Sequence, residues 1–430
     1  MRSISIQTEL LNWYRREKRS LPWRGTRDPY RIWVSEVMLQ QTTVAAVRSR
    51  YEGFVHRFPT LSALARSSEE DVLAAWSGLG YYGRARNLRR AARKIVQEHG
   101  GELPRDPALL AQLPGFGPYT AAAVACLAFG VRVPAAEANV TRVLSRVFRL
   151  RGRVGTRAHV AAVLERTAGL LPRNRPGDAL AALMDLGQTI CLPRTPLCEH
   201  CPIRERCLGS LEGKPEAYPS RGPRLRAVSA HMACAVARDG RRALLLRRRS
   251  SLLDNLWQFP SGEGPTAAVA RTRLRQALAP LGLRVAPGVV AVTRHSMVNR
   301  RLTIEIFTAA PARRRAAPAS RDARWFRPQD LDRAAIPTLT RKVARAVGLL
   351  RAGPTPKGWD AAAVLRYPKG SGFRHSAGRA DLAAGPDLSA GLADGAQERH
   401  GLSASRAAAH LRRAHRVYDD GRQDLLPLGV

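Results

Sequence analysis

CLPRTPLCEHCPIRERC, residues 191–207, sets four thiols, Cys191, Cys198, Cys201 and Cys207, within seventeen residues and separates them by six, two and five others. Four cysteines this close can wrap one metal ion or one cluster in a single tight loop. Structural zinc is the ordinary alternative, but four-thiolate zinc sites usually consist of two short Cys-x2–4-Cys pairs far apart, which this spacing does not match. Disulfides are the weaker reading in a chain without a secretion pattern. Cys126 and Cys234 lie inside apolar stretches and read as small buried hydrophobes.

Upstream of this loop, residues 1–210 read as helix after helix, with apolar residues recurring at three and four and Pro or Gly at the joins. Asp28-Pro29 supplies an N-cap and a first-turn proline for a helix predicted through Gln41. From Arg84 onward, Leu88, Ala91, Ala92 and Ile95 form one stripe, opposite Arg86, Arg89, Arg90 and Arg93. That basic face can meet phosphates or simply stay solvated. Residues 138–150 predict an amphipathic helix with Val140, Val143, Leu144, Val147 and Phe148 inward and Arg142, Arg146 and Arg149 pointing away.

Downstream, GKPEAYPSRGPR lies in a linker placed at 211–226. An α+β domain follows at 227–350. Two apolar runs at 228–249 join at Asp239-Gly240 as a hairpin, RLTIEIF at 301–307 alternates as a strand, and helices are predicted near 266–281 and 338–350. Residues 351–430 lack sustained periodicity apart from a short helical stretch at 404–414 and read as a disordered tail.

The 430 residues carry 71 Lys and Arg against 34 Asp and Glu, a formal charge of +37. A polyanion is the expected partner, although an Arg-rich, Ala-rich genome also raises basic content everywhere. The first twenty residues lack a signal-peptide order, so export is not expected. The longest apolar run, 121–131, falls short of the roughly 20 residues that span a bilayer.

Leu113-Pro114-Gly115-Phe116-Gly117 sits between two helical stretches, and Gly115 and Gly117 permit a tight turn whose amides can approach a phosphate. With Pro118-Tyr119-Thr120-Ala121-Ala122 after it, the segment (about 109–129) resembles the helix-hairpin-helix of base-excision glycosylases. The six-two-five cysteine spacing is likewise similar to the [4Fe-4S] loop of the endonuclease III and MutY superfamily, and the chain most closely resembles adenine DNA glycosylases of the MutY kind. The resemblance covers roughly residues 5–350 and is densest from Asp28 to Cys207. It implies a mainly α fold: a two-lobed helix-hairpin-helix glycosylase core with an iron-sulfur loop, plus a smaller α+β Nudix-like C-terminal domain. Pro202, Arg194, Arg204 and Arg206 then suit a loop touching DNA backbone, or are ordinary surface charge.

Within WVSEVMLQQT, Glu36 falls at helical spacing among Ile32, Trp33 and Val37, so its carboxyl faces apolar surroundings that raise its pKa. A carboxylic acid still protonated near neutrality suits departure of a purine, which must accept a proton. The resemblance makes Glu36 that general acid. It also implies that Gln40 and Gln41 enter the DNA stack, that the 76–86 loop, WSGLGYYGRAR with Tyr81, Tyr82 and Arg84, faces DNA, and that Tyr119 and Asn139 position the sugar and the catalytic carboxylate. Tyr119 stands where related lyases carry a nucleophilic lysine, so base removal without strand cleavage is expected. At Glu137-Ala138-Asn139-Val140 the family pattern is Asp-Gly-Asn-Val. Glu137 thus replaces the aspartate that stabilises a cationic sugar, and its added methylene displaces the carboxylate by roughly 1.5 Å, where about 1 Å can cost on the order of a hundredfold. Glu137 as a plain helix cap is the competing reading.

LWQFPSGEG at 256–264 resembles the Nudix-like domain of the family, but the helix at 271–279 holds no acid, so Mg²⁺-dependent nucleotide hydrolysis is not expected. The loop that probes 8-oxoguanine in the family corresponds to Met297, Val298 and Asn299. Met can wedge and Asn can hydrogen-bond, whereas Val298 lacks a hydroxyl; a plain strand-to-strand turn is the alternative.

The expected activity is monofunctional excision of adenine mispaired with 8-oxoguanine or guanine from double-stranded DNA, by a monomer holding a [4Fe-4S] cluster in a bacterial cytoplasm, at the nucleoid and without membrane contact. Alternatives are a thymine/guanine mismatch glycosylase, a catalytically silent DNA-binding homologue and, least favoured because of Tyr119, a bifunctional lyase.

Overall fold

The computed structural model describes residues 5–220, 222, 227–248, 253–297, 300–312 and 322–351. Helices α1 (Ile6–Glu17), α2 (Pro29–Leu39), α3 (Val44–Arg57), α4 (Leu61–Arg66), α5 (Glu69–Ala75), α6 (Gly83–Glu98), α7 (Pro107–Leu110), α8 (Pro118–Phe129), α9 (Ala138–Val147), α10 (Arg157–Leu170), α11 (Pro176–Thr189) and α12 (Leu208–Leu211) precede the first strand. Their starts are set by side-chain caps: Ser5, Asp28, Thr43, Thr60, Ser68, Asp106 and Thr156 each accept a first-turn amide. Proline opens α2, α7, α8 and α11, where no amide hydrogen is missed.

Helix α8 divides the helical domain into two lobes. Ala121, Val124 and Ala125 belong to the core formed by α2 to α6, while Ala122, Ala123 and Cys126 belong to the core formed with α1, α9, α10 and α11. Small residues on every side let one helix serve both cores. Tyr119, in its first turn, therefore sits where the lobes meet.

The second domain contains β1 (Val228–Asp239), β2 (Arg242–Arg248), β3 (Leu256–Gln258), β4 (Ser261–Gly264), α13 (Ala267–Leu278), β5 (Leu283–Val285), β6 (Ala291–Met297), β7 (Arg300–Pro311), β8 (Ala323–Phe326), α14 (Pro328–Leu331) and α15 (Thr338–Ala346). β1 and β2 form the hairpin at Gly240, with Asp239 opposite Arg242. β1 pairs in parallel with β7 and antiparallel with β4, and β7 also takes β5 and β6. Apolar clusters on the two faces of this sheet are closed by α13 on one side and by α14 and α15 on the other.

The domains share buried surface. Leu256 and Ala335 lie in the same core as Trp76 and Leu79. Ser77 and Tyr82 donate their hydroxyls to the Ile336 carbonyl at 2.8 and 2.9 Å, and the Arg341 guanidinium donates to Ser77 Oγ at 3.1 Å. Glu70 accepts from Trp257 Nε1 and pairs with Arg247. Replacing Arg341, which is 7% exposed, by methionine strips this junction of a charged donor. Urea unfolding should show a loss of about 1.5–3 kcal/mol with one transition retained; an unchanged midpoint would mean that the junction adds nothing.

Several expectations are corrected. α2 stops at Leu39 because Gln40 leaves the helical backbone at ψ 114°, ahead of the left-handed Gln41; α9 stops at Val147, α13 at Leu278 and α15 at Ala346. Arg142 and Arg146 do not point away from α9: they are 8% and 1% exposed. Both sides of that helix are covered, and the two guanidiniums satisfy carbonyls of the cysteine loop. The predicted linker is docked as far as Ser220, whose carbonyl accepts from the Val154 amide, while Arg146 Nε donates to Tyr218 O. Residues 352–430 of the expected tail, the helical stretch at 404–414, and Val298 and Asn299 lie outside the described residues.

Candidate active site and thiolate loop

α2 is apolar nearly all round, and its residues 32–38 are all buried, Glu36 included at 5% exposure. A carboxyl carried inward on such a helix needs a partner. Tyr119 provides it, donating its hydroxyl to Glu36 Oε2 at 2.9 Å. Burial raises the Glu36 pKa; the Arg24 cation and the Tyr119 hydrogen bond pull it down, and the charge of Glu137 pushes it up again. The same burial and the two carboxylates keep the Tyr119 hydroxyl a phenol, well above its usual range.

Glu137 is the N-cap of α9. Its Oε1 accepts the amides of Asn139 and Val140 at 2.8 and 3.1 Å, and its Oε2 accepts Asn139 Nδ2 at 3.0 Å. The cap reading is thus observed, and the capped carboxylate lies near enough for its charge to act on Glu36 and Tyr119. Burial also raises the Glu137 pKa, against the three N–H donors and Arg142. Asn139 is fixed in turn by Arg142 Nη2, which donates to Asn139 Oδ1 and to Gly187 O, both at 2.7 Å, while Arg142 Nε donates to Cys191 O at 2.8 Å. α11 approaches so closely here that a Cβ on Gly187 would lie 2.6 Å from that of Asn139.

In the hairpin, Gly115 has φ +79°, and a Cβ there would meet the Asn87 Cβ at 2.6 Å. Glycine is what lets the turn sit on α6. Phe116 stacks on Trp33 with ring centroids 5.2 Å apart, joining the hairpin to the helix that carries Glu36. Gly117 caps α8 without a side-chain acceptor, so first-turn amides stay open to an anion.

The four loop cysteines line one cavity with Val143, Arg146, Leu186, Ile190 and Ile203. Among the described residues no group of three or more His, Cys, Asp or Glu is arranged to hold a single metal ion. Four cysteines around one cavity are the number and type of ligand that an iron-sulfur cluster takes. Arg146 braces the loop from below, donating to Cys191 Sγ at 3.3 Å and to the carbonyls of Leu192 and Pro193. Arg204 pairs with Glu199, and Arg206 with Glu9.

A family model described as HhH-GPD superfamily base excision DNA repair protein matches residues 34–168, and a NUDIX domain model matches residues 232–346. The adenine DNA glycosylase of Homo sapiens is 35% identical over 409 residues, covering 79% of this chain and 73% of that protein. The chain belongs to the adenine DNA glycosylase family. The adenine DNA glycosylase of Mycobacterium tuberculosis is 43% identical over 217 residues, covering 50% of this chain and 70% of that protein. A solved structure of a thermostable thymine-DNA glycosylase is 30% identical and covers 48% of this chain and 95% of its own, at a TM-score of 0.44.

Of the other residues singled out in this family member, Gln41 and Tyr81 are exposed at turn tips, both left-handed. Gln40 is held by Thr120 at 3.0 Å. Tyr82, expected at a DNA face, is instead 3% exposed and bonded to Ile336 O. Arg84 and half of the basic face of α6 are tied inward, Arg86 to Glu69 and Arg89 to Ser67 O at 2.7 Å, while Arg90 and Arg93 stay exposed. Met297 ends β6, and its side chain lies outside the described residues. Sequence reasoning missed Arg24 and Asp185. Asp185, 1% exposed on α11, accepts from Arg19 at 2.6 Å and Arg24 at 3.4 Å, which brings the Arg24 cation within reach of Glu36. An aspartate inside the apolar run ALAALMDLG was the available signal. Among the described residues no helix is long and apolar enough to cross a membrane.

Proposed function

We propose that the chain is a monofunctional base-excision glycosylase that extrudes adenine, mispaired with 8-oxoguanine or guanine, from duplex DNA and hydrolyses its bond to the sugar. The buried Glu36 carboxyl under Tyr119, with the capped Glu137 carboxylate in the same site, carries the reading. Extrusion is needed because the reacting bond is inaccessible within a duplex.

Glu36, whose neutral form burial favours, protonates the departing purine from Oε1 while Oε2 stays with Tyr119. Glu137, with three N–H donors on its oxygens, faces the sugar as an anion and stabilises the positive charge that develops as the bond breaks. Water completes the hydrolysis. Tyr119 orients Glu36 and, as a phenol, attacks nothing. Asn139 and Arg142 hold Glu137 in place. The open amides at Gly117 and the hairpin take a DNA phosphate, and Gln41 and Tyr81 enter the stack. Cys191, Cys198, Cys201 and Cys207 would hold a [4Fe-4S] cluster, whose iron-thiolate bonds tie the loop that accepts from Arg142 and Arg146. Met297 and Asn299 are the residues proposed to meet the base opposite adenine.

The test is single-turnover release from duplexes carrying adenine opposite 8-oxoguanine, guanine or thymine, on protein with iron and sulfide measured. Adenine release without a borohydride-trapped adduct, fastest opposite 8-oxoguanine or guanine, is expected. Binding without release would favour a silent DNA-binding protein.

A further inference from the structure

The family resemblance puts Arg84 at a DNA face, yet both of its Nη groups are engaged within the protein, and its Nε is buried without a hydrogen-bond partner. Nη1 donates to the carbonyls of Val37 and Met38, each at 2.9 Å, and to that of Gln40. Nη2 donates to Thr42 Oγ1 at 2.9 Å and to the carbonyls of Leu79 and Gly80, both at 3.2 Å. Its guanidinium carbon lies 5.4 Å from the centre of the Trp76 ring and 5.5 Å from that of Tyr81. Burial lowers its pKa to about 10, so it remains charged at neutral pH.

These acceptors come from two separate turns. Val37, Met38 and Gln40 are at the C-terminal end of α2, where the last carbonyls have no helical donor. Leu79 and Gly80 lead into α6. Each turn ends in a left-handed residue other than glycine, Gln41 at φ +53° and Tyr81 at φ +47°, directly after a carbonyl that Arg84 holds. Such backbone persists only where its surroundings fix it. One planar fork of donors reaches both turns at once, which a lysine's single ammonium cannot do.

We propose that Arg84 is a positioning residue for base extrusion: it clamps the Gln40–Gln41 turn to the Gly80–Tyr81 turn, so that Gln41 and Tyr81 are presented to the duplex as one rigid pair. The inference rests on the glycosylase reading above and assigns Arg84 no contact with DNA or with the reacting atoms.

Extrusion and bond cleavage can be separated by substrate. Adenine opposite guanine must be unpaired and unstacked, whereas adenine opposite an abasic site is already loosened. Arg84→Lys, Arg84→Met and Tyr81→Ala are compared with the native chain in single-turnover release from both duplexes, with 2-aminopurine fluorescence beside the target reporting extrusion. All three variants should lose at least about tenfold on adenine opposite guanine, with slowed extrusion, and less than about threefold opposite the abasic site. Equal losses on both duplexes in the Arg84 variants, or no loss, overturn the clamp. So does a Tyr81→Ala variant without the selective loss, which keeps the test decisive if an Arg84 variant fails to fold. Failure of the native chain to release adenine from either duplex removes the glycosylase reading itself, a result distinct from a native chain that works and a variant that matches it.

Discussion

Glu36→Gln should abolish measurable adenine release while leaving duplex affinity within a few-fold of native. Glutamine keeps the shape of the side chain and can still accept the Tyr119 hydroxyl now 2.9 Å from Oε2, so the local packing survives. What it lacks is an acidic proton. General-acid assistance is worth roughly 10²–10⁴-fold, and a purine anion leaves poorly without it. The pH profile gives the sign. Burial raises the Glu36 pKa, so the native rate should fall with rising pH only above the ordinary carboxylate range, as the acid form is titrated away. Arg24 favours the charged form, so Arg24→Met should move that alkaline limb to still higher pH. In Glu36→Gln the limb should vanish with the activity. Full-rate release by Glu36→Gln in protein with an intact cluster would end the assignment.

The helical architecture was legible because its signals are local. Asp28-Pro29 starts α2, the glycines at 115 and 117 mark the hairpin, and the cysteine spacing marks the loop. The burial of Glu36 followed from its place among apolar neighbours. The fate of the arginines did not. An amphipathic pattern sends every charge outward, yet Arg84, Arg142 and Arg146 turn inward because irregular segments far away in sequence expose carbonyls that need donors, as at Gln40, Cys191 and Leu192. Tyr81 and Tyr82 are neighbours of the same type; a left-handed φ at Tyr81 and the Ile336 carbonyl put one out and the other in, and neither cause is visible in the pair itself. The Arg24–Asp185 pairing joins residues 161 positions apart, beyond any periodicity.

Glu137→Gln should lower the single-turnover rate on the order of 10²–10³-fold, with binding little changed. The substitution removes the negative charge and leaves the helix cap only half served. Gln Oε1 could still accept the amides of Asn139 and Val140, but its NH₂ would then face Asn139 Nδ2, which is also a donor. Asn139 cannot turn to offer its oxygen, because Arg142 Nη2 already holds that oxygen at 2.7 Å and is itself anchored on Gly187 O and Cys191 O. Burial raises the Glu137 pKa too, so the anion should be lost as pH falls and the native profile should be a bell, with an acid limb that the Glu36–Glu137 pair titrates together. Glu137→Gln should flatten that acid limb. Glu137→Asp retains charge and capping oxygens and should keep the limb, with a smaller rate loss from a carboxylate drawn back by roughly 1.5 Å. If Glu137→Gln releases adenine at the native rate and keeps the bell, Glu137 is a helix cap alone, and stabilisation of the sugar must come from another group in the site.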